Sequence, residues 1–359
     1  MDILTDKKRD SRILLRTFTG SGLLVMLSTL GAAIQKIAIP LPNTVSAYRD
    51  LTLCYPDDEQ LLSSGSYAGR TLAPNAGRIR DARLPIDGRS LPLLPNEGQH
   101  QLHGGAHNLS LTDWRVKEVE EALDHVEVCF EAFQPDGLDG YPGNRSYQVR
   151  YRIEDTNWIL IRYTAVSDKP TYINMSNHCY WNLRGITENA GVDGDALMQE
   201  LEICANAVVL NDSCNIPQDI VPVAGTAFDF RSPVTLHRRL RPAVPHNERT
   251  KRQLSIGRGY NNAFLLTCPD LRRRLRGISL PYSLKKACVL RDPLSGLQMT
   301  MMTDSPALVL YSGGFLHPPS SAIALEAQDI PDIGNLMPER MLLTAPEHPF
   351  HREIRFHIV

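Results

Sequence analysis

Three segments carry polar side chains that chain packing alone does not require. In Thr171-Tyr-Ile-Asn-Met-Ser-Asn-His-Cys-Tyr-Trp-Asn-Leu183, His178 shares a strand face with Ser176 and Tyr180, and Trp181 lies beside it. An imidazole titrates near neutrality, so it can hold or give a proton at working pH. In Ile323-Ala-Leu-Glu-Ala-Gln-Asp-Ile-Pro-Asp332, Glu326 follows small and apolar residues rather than sitting in a charged run. Burial there would raise its pKa from about 4.3 and make the carboxylate a better base. In Gly98-Gln-His-Gln-Leu-His-Gly-Gly105, His103 precedes two glycines, which allow positive φ and close backbone approach to a ligand. Each segment also has a plainer reading, respectively a solvated strand face, a surface carboxylate and a turn histidine. Taken together they supply the parts for proton transfer on a small polar molecule. His103 and His107 have the i,i+4 spacing of a helical metal pair, but Gly104-Gly105 opposes a helix, and no metal is expected. No P-loop or dinucleotide fingerprint is present, so no cofactor is expected either.

The elements that must position these residues repeat every two residues. Val126, Val128 and Phe130 fall on one face of His125–Glu131, and Tyr147, Val149, Tyr151 and Ile153 on one face of Tyr147–Ile153. After a turn at Glu154-Asp-Thr-Asn157, the run Trp158–Val166 is expected to pair back onto the latter strand. Further strands are expected at Leu201–Leu210, Ala263–Leu266, Ala287–Leu290, Leu297–Met302, Ala307–Tyr311 and Ile354–Ile358. Turn clusters such as Gln134-Pro-Asp-Gly-Leu-Asp-Gly-Tyr-Pro-Gly143 separate them. No amphipathic helix longer than about three turns and no βαβ alternation stands out. The pattern predicts an all-β, mostly antiparallel sandwich.

Composition narrows the partners. The 359 residues carry 38 Lys+Arg against 40 Asp+Glu, a net charge of −2. Nucleic acid and membrane surfaces both call for a basic excess, so neither is expected. The basic clusters His237–Arg241 and Arg272–Arg276 are read as solvated loops or edge-strand faces. Seven widely spaced cysteines, with no C-x-x-C pair, fit a reducing cytoplasm. The apolar stretch Gly22–Ile34 is interrupted by Ser28, Thr29 and Gly31, continues into another strand-like run, and is too short to span a bilayer.

In order along the chain, Gly31-Ala-Ala-Ile34, Asn75-Ala-Gly-Arg-Ile79, Leu102-His-Gly-Gly105, Asp136–Gly143, Asn177-His-Cys-Tyr-Trp-Asn-Leu183, Gly259-Tyr-Asn-Asn262, Leu325-Glu-Ala-Gln328 and Pro331-Asp332 resemble segments of the aldose 1-epimerase (galactose mutarotase) family. The resemblance covers nearly the whole chain. It implies one large antiparallel β-sandwich over residues 1–359, a galactose mutarotase-like supersandwich, with the Leu102–Gly105 and Asp136–Gly143 loops rimming a pocket. It implies the carboxylate base at Glu326, the general acid at His178, and sugar-binding groups at His103, Arg78 and Asn261. Two positions depart from the family pattern: Gly77 where Asn is common, and Asn261 where Asp is common.

The implied activity is interconversion of the α and β anomers of a free hexose. It needs one base at the C1 hydroxyl and one acid at the ring oxygen, on opposite sides of the sugar, met by ionised Glu326 and protonated His178. A hexose 6-phosphate or an unusual sugar is the alternative substrate, with Arg70, Arg80, Arg83 and Arg89 the candidate phosphate ligands. A non-catalytic sugar-binding protein is the alternative outside enzymes.

Overall fold

A computed structural model describes residues 2–5, 12–16, 22–41, 47–186, 195–241, 247–267 and 284–359. Two antiparallel sheets dominate it, as the period-two patterns predict. The first runs, in spatial order, through Asp2–Thr5, Arg12–Arg16, Leu24–Ser28, Ala33–Pro40, Tyr48–Thr52, Tyr180–Ile186, Ile323–Gln328, Ala307–Tyr311, Asn261–Leu266, Ala205–Asn211 and Pro217–Pro222. The second runs through Arg115–Glu121, His125–Gln134, Arg145–Glu154, Trp158–Ser167, Phe350–Ile358, Gln298–Thr303, Lys285–Arg291, Glu200–Ile203 and Val234–Thr235. The apolar stretch Gly22–Ile34 lies in the first sheet, with Val25, Leu27 and Ile34 fully buried.

The expected hairpin forms, with Ile153 opposite Ile159 and Tyr147 opposite Ala165. Its inward residues Tyr147, Val149, Tyr151 and Ile153 meet Ile37, Leu183, Leu308 and Leu325 of the first sheet in one apolar cluster. Each such side chain, fully buried, contributes roughly 1.5–3 kcal/mol. The second sheet ends at the highly charged Arg115-Val-Lys-Glu-Val-Glu-Glu121, whose exposed side chains protect an open edge.

Two expected elements differ. The run Leu201–Leu210 is not one strand: Glu200–Ile203 belongs to the second sheet and Ala205–Asn211 to the first, with the chain crossing between sheets at Cys204. Both halves are apolar because both sheets bury their inner faces, so sequence alone does not mark the crossing. The cluster His237–Arg241 largely forms a short helix, Leu236–Leu240, in which the Thr235 hydroxyl caps the Arg238 amide. The Arg272–Arg276 cluster lies outside the described residues. Among those residues no helix is long and apolar enough to cross a membrane.

Candidate active site

Glu326 sits in the middle of the first sheet. In Ile323–Gln328 every residue is buried: Ile323, Leu325 and Ala327 point into the apolar cluster, which turns Glu326 and Gln328 to the opposite face. On that face the sheet floors a cavity of about 620 Å³, covered by segments from residues 55–67, 77–78, 97–103 and 315–317. All five predicted residues, Arg78, His103, His178, Asn261 and Glu326, line it. The Leu102–Gly105 loop borders the cavity as expected; Asp136–Gly143 does not line it. Instead, the buried Asp139 carboxylate accepts the His107 amide at 2.9 Å and contacts its ring at 3.1 Å, bracing the loop that presents His103. His107 thus serves to brace the loop.

Backbone pairing delivers His178. Ser176–Asn177 pairs with Thr71–Leu72, and the ladder continues as the His178 amide donates to Arg70 O and Gly69 donates to His178 O. The alternation expected for 171–183 holds, with Ile173, Met175 and Cys179 in the core. Its polar face is covered rather than solvated, and Asn174, Ser176, His178 and Tyr180 are all buried. His178 Nε2 lies 3.6 Å from Glu326 Oε1. The residues expected as acid and base are therefore neighbours rather than facing each other across a sugar.

His103, at φ +49, exchanges two hydrogen bonds with Gly77: its amide donates to Gly77 O at 3.0 Å, and its Nδ1 accepts from the Gly77 amide at 3.1 Å. With Nδ1 an acceptor, the ring proton resides on Nε2, leaving His103 a neutral donor. Gly77 itself has φ +82, and a Cβ there would stand 3.1 Å from Pro331 Cβ. The left-handed backbone suits glycine, as it also suits the Asn common in the family.

Arg78 reaches the cavity through the pairing of Arg78–Ile79 with Gln101–Leu102. Its Nε and Nη2 donate to Glu97 at 2.5 and 2.7 Å in a bidentate clamp. Asn261 lies opposite Tyr311, and its side-chain amide donates to Asn215 at 3.2 Å. Glu97, Asn215, Tyr67 and Gln328 all line the cavity and were not singled out from sequence. Glu97 and Asn215 stand in ordinary turns and Tyr67 follows a serine-rich loop, so no local pattern marks them. Gln328 had a signal, since it shares the Glu326 face two residues on; its amide stands 3.5 Å from Glu326 Oε2.

Burial dominates the electrostatics. It raises the Glu326 carboxyl from 4.5 to about 8, against a smaller opposing pull from the Arg78 charge. It lowers His178 from 6.5 to about 4, with Arg70 adding to the fall, and lowers His103 further with help from His178, Arg78 and Arg70. The expectation of a raised Glu326 holds. Protonated His178 beside ionised Glu326 is not the arrangement that burial favours: between about pH 4 and 8 the pair carries one proton, on the carboxyl. His178 Nδ1 is buried without a hydrogen-bond partner among the described residues.

None of the four proposed phosphate-binding arginines lines the cavity. Arg70 is buried, with its guanidinium over the Tyr67 ring and Nη1 bonded to Ser110 O. Arg80 is tied to Asp332 and Pro217 O. Arg83 and Arg89 lie exposed in the Arg83–Ile86 and Arg89–Pro92 hairpin.

Comparison with known proteins gives one consistent match. The model of the aldose 1-epimerase family matches residues 14–350. An aldose 1-epimerase of Escherichia coli (strain K12) is 30% identical over 333 residues, covering 90% of this chain and 87% of that protein. A galactose mutarotase of Rattus norvegicus is 28% identical over 299 residues, covering 80% and 77%. The crystal structure of a galactose 1-epimerase from Lactobacillus acidophilus superposes with a TM-score of 0.77 at 23% identity, covering 100% of this chain and 98% of the other. An aldose epimerase homologue from C. elegans gives a TM-score of 0.77 at 24% identity, covering 96% and 98%.

Proposed function

The chain belongs to the aldose 1-epimerase family, and from that premise we propose that Glu326 and His178 carry its interconversion of α and β anomers, with a free hexose as substrate. The observation that carries this reading is the buried Glu326–His178 contact at 3.6 Å inside a cavity that also holds Arg78, His103 and Asn261. Glu326 as carboxylate takes the proton from the C1 hydroxyl while His178 as imidazolium gives its proton to the ring oxygen. The C1–ring oxygen bond breaks and C1 becomes an aldehyde. Rotation about the C1–C2 bond and return of both protons closes the ring as the other anomer.

Both pKa shifts serve this exchange. A carboxylate whose conjugate acid lies near 8 is a stronger base, and an imidazolium whose pKa lies near 4 is a stronger acid, than either group in water. After ring opening the pair is left as carboxylic acid and neutral imidazole, the forms that burial favours. The reacting forms need hydrogen bonds that burial withholds; sugar hydroxyls donating to the carboxylate and accepting from the imidazolium supply them. His103, through Nε2–H, and Arg78 would donate to sugar oxygens, and Asn261 Oδ1 would accept from a hydroxyl.

The inward faces of the two sheets meet in one apolar cluster, which supports reading residues 1–359 as one domain. A cytoplasmic location is supported by the unbridged thiols of Cys129, Cys179, Cys204, Cys214 and Cys288. Polarimetry on fresh α-D-glucose and α-D-galactose tests the activity: purified protein should speed the approach to equilibrium rotation. No acceleration over a panel of aldoses would reject the reading.

A further inference from the structure

Arg78 is the one guanidinium among the described residues lining the cavity, and no lysine lines it. Burial favours the uncharged forms of Glu326, His103 and His178, so the lasting charges of the cavity are Arg78 and its partner Glu97. An arginine grips a carboxylate or phosphate through two parallel N–H donors of its fork. Glu97 already occupies one of the two such edges, Nε and Nη2, and sets its negative charge beside the other, Nη1 and Nη2. The carboxylate is held by a tight turn, in which Glu97 and His100 exchange backbone hydrogen bonds at 3.1 and 3.0 Å. Any anionic sugar reaching Arg78 would have to displace Glu97 or lie against its negative charge, whereas a neutral hydroxyl needs only the remaining donors.

We propose that Glu97 determines specificity: by taking one edge of the Arg78 guanidinium and offsetting its charge with an internal carboxylate, it restricts the site to uncharged aldoses and turns away uronates and sugar phosphates. This rests on the cavity being the aldose site. The test measures kcat/KM for mutarotation of galactose, galacturonate and glucose 6-phosphate by the full chain, Glu97→Gln and Glu97→Asp, at low and raised salt.

The unsubstituted protein should favour galactose over galacturonate by roughly tenfold or more, as like-charge rejection predicts. Glu97→Gln should raise the galacturonate-to-galactose ratio by about tenfold, with the gain shrinking as salt screens the half-buried Arg78 charge. Glu97→Asp keeps the charge and should keep the original preference. A purely structural role would lower both rates together and leave the ratio unchanged, and that outcome in the Gln variant overturns the proposal. So does equal use of galacturonate and galactose by the unsubstituted protein, a measurement that needs no variant to fold. Failure to accelerate any neutral aldose would instead reject the assignment of the site.

Discussion

Replacing Glu326 by Gln should lower activity and change stability in opposite senses, and the pH dependence of stability isolates the cause. General-base catalysis is typically worth 10²–10⁴-fold, so kcat should fall by about that factor while calorimetry still detects sugar binding, since the amide keeps an acceptor oxygen. Burial holds the Glu326 carboxyl near 8 against an ordinary 4.5. The folded state therefore keeps a proton that the unfolded chain releases; that contribution is fully present below about 4.5 and is lost as pH rises through about 8. His178 has the opposite sign: depressed from 6.5 to about 4, it contributes fully above 6.5 and loses that contribution as pH falls toward 4.

The window from pH 6.5 to 8 thus reports Glu326 with little interference from His178. At about 1.4 kcal/mol per pH unit, the unsubstituted protein should lose roughly 2 kcal/mol across it relative to Glu326→Gln. Urea unfolding of both proteins at pH 6.5, 7.2 and 8, followed by tryptophan fluorescence, gives the difference directly, and other titrating groups cancel. A stability difference that does not change with pH, or that moves against the Gln variant as pH rises, would refute the buried, proton-holding carboxyl. Full activity in the variant would refute its role as base.

Three further outcomes are expected. Gly105→Ala should destabilise by about 2 kcal/mol or more and lower kcat through His103, because φ is +102 and the new Cβ would stand 2.6 Å from Asp139 Cγ; thermal unfolding and polarimetry check it. Arg352→Met should cost about 3–5 kcal/mol in urea unfolding, since this buried guanidinium binds Asn174 Oδ1, Met175 O and Asp329 and would leave them unmatched. Asn261→Asp should lower KM for galactose by up to roughly tenfold, because an ionised acceptor makes stronger hydrogen bonds to hydroxyls. Progress curves over a concentration series measure it, and an unchanged KM would show that Asn261 does not face the sugar.

The proposed acid/base pair could be singled out because each residue stands out in its local sequence. Glu326 interrupts a small and apolar run, and His178 stands between a hydroxyl and a phenol on one strand face, with Trp181 adjacent. Glu97 breaks no rule within Asn96-Glu-Gly98, and its meaning appears only when the turn folds onto Arg78. The same holds for Asn215, which comes to Asn261 from 46 residues away. The four arginines show the converse error: a cluster in sequence need not converge in space, and these face a tyrosine ring, an aspartate and open surface.

Sequence by itself determined most of the central strands, their inward faces and the hairpin at residues 147–166, because a two-residue period and local turn chemistry are written in neighbouring residues. It also determined which groups can exchange protons, through ordered motifs and residue type. Tertiary structure decided where protons rest, because the desolvation of Glu326 and His178 comes from strands and loops that meet only in the folded chain. It likewise decided that Glu326 and His178 stand side by side and that Arg78 is paired. Charges and distances across a cavity are set by chain segments far apart in sequence.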